Sequence, residues 1–252
     1  MDHGNYIDMN KKIYIGTAGW NIPRTTKDYF PEEGTHLERY ADVLQCVEIN
    51  STFYRDHQVK TFEKWASMTP DTFRFSVKLN QRFTHETEKF NPQELAQVLE
   101  GYTALGEKLG VMLLQFPGTL PFDPFFIENL LESIRQSYLG SIVIEPRNNS
   151  WKCPEALELM KDFNVSKVVA DPEKCEFSKR NIDYGGVSYL RYHGQPVIYR
   201  SSYGDEVLKE LKEKILHSPR DLWVIFDNTT MGHATENALK LMNMTVRPSL
   251  LS

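Results

Sequence analysis

Cysteine is scarce in this 252-residue chain: Cys46, Cys153 and Cys175 are odd in number and never spaced as C-x-x-C. That pattern argues against both a disulfide framework and a zinc ribbon. No stretch approaches about 18 uninterrupted apolar residues, so no segment reads as a membrane span. The opening MDHGNYIDMNKK has neither an apolar signal core nor an Arg-rich transit pattern, and cytoplasmic residence is expected. Positive charge is not in excess either. With a net charge of −5 the chain has no global attraction for a phosphate backbone, so any nucleic-acid contact must rest on a local basic patch. The sequence also lacks G-x-G-x-x-G after its first strand, G-x-x-x-x-G-K-[ST] anywhere, and a G-x-S-x-G elbow. These absences weaken the common open-sheet nucleotide folds and the serine-nucleophile reading.

What is present is ordinary globular composition, 25% charged and 40% hydrophobic, ordered as a repeated alternation. Apolar runs bounded by turn residues predict strands near 13–17, 46–50, 73–78, 111–116, 141–145, 166–171, 187–193 and 222–227. Helical stripes lie between most of them. Thr35 with Glu38 forms a capping box, Asn91-Pro92 and Asp123-Pro124 open two further helices, and weaker helical patterns cover 58–67, 154–163, 205–216 and 234–245. Residues 172–186 show no helical period, so the sixth helix is expected to be short or missing. Segments leading into strands are short, as at 108–110 and 139–140, whereas those leaving strands are long, as at 19–34, 79–91 and 193–204. Long loops gathered at strand exits favour a closed barrel over an open sheet. The expected fold is α/β, a (β/α)8 TIM barrel forming a single domain over 13–252, preceded by a flexible extension over 1–12.

Strand alternation then sorts the side chains, because residues two apart share a face. In FRFSVK, Phe73, Phe75 and Val77 suit the helix side, which turns Arg74, Ser76 and Lys78 inward. The same parity groups Glu48 with Asn50, Glu145 with Arg147 and Arg191 with His193, and leaves Gln115, Asp171 and Asp227 at strand ends. A barrel interior is normally filled by branched apolar residues, so a polar ring at one end requires an explanation. One explanation is an internal ion-pair network. The other is an anion pocket with Lys78, Arg147 and Arg191 as clamps and a carboxylate or His193 as general acid or base. Glu145, Asp171, His193 and Asp227 are the residue types of a divalent metal site, but the interleaved cations oppose one, and no metal is assigned. If the ring awaits a ligand, Glu145→Gln and Arg191→Met should each cost less than about 2 kcal/mol; mutual structural partners would cost about 3–5 kcal/mol. Loop aromatics (Trp20, Phe53, Tyr54, Phe83, Trp151, Tyr192, Tyr199 and Tyr203) either stack a ligand or pack the rim. His85 is a further loop candidate.

Seven ordered segments carry a resemblance: IGTAGW at 15–20, EINSTFY at 48–54, FRFSVK at 73–78 with THE at 84–86, LLQFPGTLPF at 113–122, IEPRNNSW at 144–151, YLRYHG at 189–194 and FDNTTMGHATENAL at 226–239. With these the chain resembles the YecE-like family, also called the domain of unknown function 72 family. The resemblance implies a (β/α)8 barrel and candidate pocket positions at Glu48, Asn50, Lys78, Gln115, Glu145, Arg147, Arg191, His193 and Asn228. It departs from the common pattern at NIPRTTKDYFP after Trp20 and at Asp227, where Asn is frequent. Family and residues together predict a hydrolase- or lyase-type barrel enzyme with Glu145, His193 and Glu48 as catalytic candidates. Asn50, Lys78, Gln115, Arg147, Arg191 and Asn228 are the ligand-binding candidates. Its substrate is expected to be phosphorylated or otherwise anionic, with a nucleotide or nucleic-acid fragment in that class. The alternative is a non-catalytic binder of nucleic acid or a small anion. No motif assigns a cofactor or an oligomeric state.

Overall fold

The computed structural model describes residues 11–177 and 182–245. Nine strands are seen: β1 (Ile13–Ala18), β2 (Cys46–Ile49), β3 (Arg74–Lys78), β4 (Leu109–Gln115), β5 (Ser141–Glu145), β6 (Val165–Lys167), β7 (Val169–Asp171), β8 (Val187–Tyr192) and β9 (Asp221–Phe226). They pair in parallel in the order β6-β5-β4-β3-β2-β1-β9-β8-β7, giving a near-closed, TIM-barrel-like sheet. Its helices are α1 (His36–Ala41), α2 (Ser51–Tyr54), α3 (Val59–Ser67), α4 (Pro92–Thr103), α5 (Pro124–Arg135), α6 (Pro154–Asp162), α7 (Asp205–Leu216) and α8 (His233–Thr245). None of the helices among the described residues is long and apolar enough to cross a membrane.

Local chemistry sets the helix starts. The Thr35 hydroxyl accepts from the Glu38 amide at 3.3 Å while Glu38 accepts from the Thr35 amide at 2.8 Å, closing the capping box of α1. Asn91 and Asp123 accept first-turn amides of α4 and α5, each with a proline at the first helical position, where its missing N–H costs nothing.

The sixth predicted strand, 166–171, is two strands instead of one. Val168 separates β6, which pairs with β5, from β7, which pairs with β8. Backbone accounting gives the reason. The Lys167 amide donates to the Ile182 carbonyl at 2.6 Å and Ser166 bridges Asp183 antiparallel, so the returning chain sits beside β6 where β8 sits beside β7. No helix occurs among the described residues between Asp171 and Val187, which agrees with the absent helical period. A cavity of about 490 Å³ on that flank is lined by Lys167, Val169, Phe177, Leu190 and Leu222 and includes none of the candidate site residues. Residues 1–10 of the expected N-terminal extension lie outside the described residues. Lys11 caps the end of α7 through Nζ contacts to the Ile215, Leu216 and Ser218 carbonyls.

Two apolar cores follow the strand parity. Ile15, Val47, Phe75, Val77, Leu114, Ile144, Leu190 and Val224 face the helices. Tyr14, Cys46, Val111, Leu113, Val143, Tyr189, Trp223 and Ile225 fill the barrel. Trp223 closes its amino-terminal end between Tyr14 (ring centroids 4.6 Å) and Tyr189 (6.0 Å). Gly110 makes room for it, since a Cβ there would collide with the Trp223 ring. The interior below the mouth is therefore apolar and packed, and the charged candidates Glu48, Lys78, Glu145, Arg191 and His193 collect towards the strand exits.

Candidate functional site

Arg191, at the end of β8, is wholly buried and organises the mouth. Its Nε donates to Glu48 Oε2 at 2.9 Å and its Nη2 to Glu48 Oε1 at 2.7 Å, a bidentate pair. Nη1 donates to Glu145 Oε2 at 2.5 Å, and Nη2 also reaches Asp227 Oδ2 at 3.1 Å. Tyr189, two residues earlier on the same inward face, donates to Glu48 at 3.0 Å and lies 2.8 Å from the Ser76 hydroxyl. Three carboxylates from β2, β5 and the end of β9 thus converge on one guanidinium. Arg147 follows β5 and places Nε and Nη2 each 2.7 Å from Glu145 Oε1, with about 23% of its side chain exposed.

His193 lies just beyond β8 and is 3% exposed. Its Nδ1 is 2.9 Å from Asp227 Oδ2. Its Nε2 is 3.3 Å from Glu145 Oε1, yet the alignment fails a hydrogen bond and that nitrogen is left buried without a partner. Burial and the Arg191 charge press the imidazole towards neutrality, but Asp227 and Glu145 outweigh them and raise its pKa above the ordinary value. Burial raises Glu145 and Asp227, and the neighbouring Arg191 and His193 more than reverse this, holding Glu145 well below and Asp227 below the usual carboxylate range.

Lys78 has no such partner. Ser76 is in register with Glu48, so Lys78 stands one inward position nearer the exit. It is 7% exposed, and its Nζ lies 3.9 Å from the centroid of the Phe53 ring. Among the described residues no carboxylate comes within 4.0 Å of this nitrogen and no hydrogen bond holds it. Burial first, then Arg191, push its pKa down to about 8 against the opposing pull of Glu48, Asp227 and Glu145. His85 packs on the other side of Phe53, with ring centroids 5.0 Å apart, and is held down to about 4 by burial and by Lys78 and Arg147.

The remaining sequence candidates are placed as follows. Gln115 is buried beside Glu145, its register partner across β4 and β5. Asn50 precedes α2 with Oδ1 buried and unpartnered. Asn228 is buried, and its Nδ2 donates at 2.9 Å to both the Ser201 carbonyl and Asn237 Oδ1, tying the exit loop of β8 to α8. Asp171 is apart from the cluster, accepting from Gln195 Nε2 and the Tyr203 hydroxyl. It thus leaves the four-residue set considered for a metal, and no group of three His, Cys, Asp or Glu among the described residues is arranged to hold one. Of the loop aromatics, Phe83, Trp151, Tyr192 and Tyr203 are buried in the packing and Trp20 lies edge-on to Trp65. Tyr199 stays 39% exposed, edge-on to His193 at 5.8 Å.

Tyr189 belongs to this arrangement although sequence alone does not single it out, and Asp227 and Phe53, recognised there at a strand end and among the loop aromatics, are drawn into it. Parity carried the signal for Asp227, which continues the inward series Trp223, Ile225. Tyr189 continues downward from Arg191 in the same way. Phe53 is one of the aromatics of the exit loops, and the turn through α2 brings it over Lys78.

The sequence pattern of the family described as "Protein of unknown function DUF72" matches residues 14–249. The UPF0759 protein YunF of Bacillus subtilis (strain 168) is 24% identical over 92% of this chain and 94% of its own length. A DUF72 family protein from Thermotoga maritima MSB8 superposes with a TM-score of 0.73 at 27% identity, covering 92% of this chain and 98% of that one. Another from Enterococcus faecalis V583 gives 0.76 at 24% identity over 92% and 95% of the two chains. On sequence pattern and fold together, the chain belongs to the DUF72 family.

Proposed function

We propose that the mouth binds a phosphorylated or otherwise anionic substrate and acts on it by acid–base chemistry, as a cytoplasmic enzyme built on a single (β/α)8 barrel whose sixth strand is interrupted at Val168. The observation that carries this reading is the unequal pairing of the cations at the exit. Glu48, Glu145 and Asp227 supply three negative charges and Lys78, Arg147 and Arg191 three positive ones, but all three carboxylates converge on Arg191 and none pairs with Lys78. Arg191 already satisfies the carboxylates, so Arg147 and Lys78 are the cations with capacity for a ligand. In this reading His193 Nε2, buried and unpartnered, is the proton donor or acceptor, and Asp227 sets its tautomer and charge. Glu145 holds Arg147 and His193, and Glu48 holds Arg191. Asn50, Gln115 and Asn228 shape the rim around the substrate.

The test is titration calorimetry of inorganic phosphate into the full chain, repeated with Arg147→Gln, alongside a turnover assay on a panel of phosphoesters that includes short oligonucleotides. Phosphate binding that Arg147→Gln weakens at least about tenfold is expected. Absence of binding, or binding indifferent to that substitution, overturns the anion site. Binding with no turnover on any phosphoester would leave the mouth a non-catalytic anion or nucleic-acid binder.

A further inference from the structure

Lys78 is an unusual expense in a packed barrel. A lysine brought to 7% exposure normally finds a carboxylate, and three carboxylates share its mouth. All three are engaged elsewhere: Glu48 by Arg191 and Tyr189, Glu145 by Arg191 and Arg147, Asp227 by Arg191 and His193. The nitrogen instead faces an aromatic ring, with the like charge of the Arg191 guanidinium in the same mouth. A low-polarity contact beside another cation is the environment in which a lysine amine loses its proton and becomes a nucleophile.

We infer that Lys78 is the covalent residue of the mouth, an amine that forms an imine with an aldehyde or ketone substrate whose anionic group Arg147 holds. This rests on the anionic-substrate reading above and specifies its substrate as a carbonyl compound. In the step, the Nζ lone pair attacks the carbonyl carbon, a C–N bond forms, and the C=O π pair moves to oxygen, which takes a proton. Nitrogen, cationic after the addition, gives up its first proton to a base; the resulting carbinolamine loses its hydroxyl, with one further proton, as water, and nitrogen gives up its second proton once the C=N bond has formed. The balance is one carbonyl plus one amine to one imine plus one water. His193, with Nδ1 on Asp227 and Nε2 3.3 Å from Glu145 without a hydrogen bond, is in its protonated form the acid of the mouth that can deliver the proton to the departing hydroxyl. The groups that bear on the Lys78 proton are Arg191, Glu48, Asp227 and Glu145, with His85 beyond Phe53 held neutral above about pH 4.

Reductive trapping tests this. The full chain is incubated at pH 7.5 with sodium cyanoborohydride and either pyruvate, dihydroxyacetone phosphate or acetaldehyde, and adducts are mapped by peptide mass. Lys78 should be alkylated by the anionic carbonyls at least about tenfold faster than any surface lysine, as its lowered pKa leaves far more free amine. Both Lys78→Arg, which keeps the charge, and Lys78→Met should remove that adduct while leaving the circular dichroism spectrum unchanged. Adducts spread over surface lysines with none favoured at Lys78, or an adduct pattern unchanged in Lys78→Arg, overturn the inference. Phosphate binding measured on the same preparation separates the two readings. Binding without a Lys78 adduct overturns the imine alone, and neither binding nor adduct overturns both. A Lys78 adduct with acetaldehyde but no phosphate binding upholds the amine and overturns the anion clamp.

Discussion

Arg191 and Lys78 bring the same charge into the same mouth, one met by three carboxylates and the other by none. Around Arg191 each donor nitrogen has at least one carboxylate acceptor, and the side chain is fully enclosed. Around Lys78 the neighbours are Phe53 and, beyond it, a neutral His85. A buried charge that is fully hydrogen-bonded fixes geometry, whereas one left without a counter-ion stores free energy that a ligand or a chemical step can release. The Arg191 side therefore reads as the frame of the site and the Lys78 side as its reactive edge.

Replacing the framed cation should have the larger effect. Arg191→Met leaves Glu48, Glu145 and Asp227 without the guanidinium that binds all three, with only Arg147, His193 and the unpaired Lys78 to offset them, and an uncompensated buried charge costs about 3–5 kcal/mol. Urea denaturation at pH 7 should show a loss of that size or a chain that does not fold. This exceeds the cost of less than about 2 kcal/mol expected from sequence for a ring awaiting a ligand, because parity places Arg191 inward without revealing that three carboxylates already bind it. A loss under 1 kcal/mol would dissolve the contrast with Lys78.

The unpaired cation should behave oppositely. Lys78→Met removes an ammonium that folding forces out of water, so the variant should be more stable than the parent by about 1–3 kcal/mol at pH 7. The sign follows from the lowered pKa. Between about 8 and the ordinary lysine value of about 10.4 the unfolded chain binds the extra proton, so parental stability rises with pH across that window. The advantage of the variant should shrink over the same interval. Denaturant melts at pH 7 and 10 measure both. Destabilisation at pH 7 would show that Lys78 has a partner that the present geometry does not provide.

How far the sequence could anticipate this contrast depends on what parity carries. Alternation of two places Glu48, Ser76, Lys78, Glu145, Arg191 and His193 on the inner face, where the structure has them, because one face of each strand is packed by helices and a one-residue slip would bury the wrong set. Pairing among inward residues is a different quantity. It depends on reach and register across the barrel, as when Arg191 of β8 spans to Glu48 of β2, 143 residues away. Nothing local in YLRYHG encodes that choice. The split of the sixth strand was hidden for the same reason, since it is imposed by Ile182 and Asp183 returning beside β6.

A finer perturbation addresses the hinge between the two sides, where Asp227 contacts both His193 and Arg191. His193 has its pKa raised, so its pair with Asp227 stabilises the fold below the unfolded histidine value and loses this as pH rises through the folded one. Glu145 and Asp227, both lowered, contribute above the unfolded carboxylate values and lose that as pH falls through their folded ones. Asp227→Asn removes the contribution of the carboxylate while keeping the side-chain size. The His193 midpoint, followed by the imidazole Cε1 proton in NMR, should then fall, since burial and Arg191 are left opposed by Glu145 alone. An unmoved midpoint would mean that Glu145 sets the charge of His193.

The smallest expected change reads Lys78 through its neighbour and leaves the Arg191 frame untouched. His85 is held down to about 4 by burial first, then by the charges of Lys78 and Arg147, with Glu86 opposing. Its Nδ1 lies 2.8 Å from the Thr84 hydroxyl and its ring packs on Phe53, so no carboxylate in the mouth pins its protonation. In Lys78→Met the burial and Arg147 remain while one like charge disappears. The His85 midpoint should therefore move upward yet stay below the ordinary histidine value near 6.5. In Arg191→Lys, which keeps a cation inside the carboxylate cage, the His85 midpoint should stay where it is, because Arg191 is not among the charges that act on it. NMR titration of the three proteins compares these shifts directly. A His85 midpoint that responds to Arg191→Lys as much as to Lys78→Met would show the two cations acting as one network and would erase the division between frame and reactive edge.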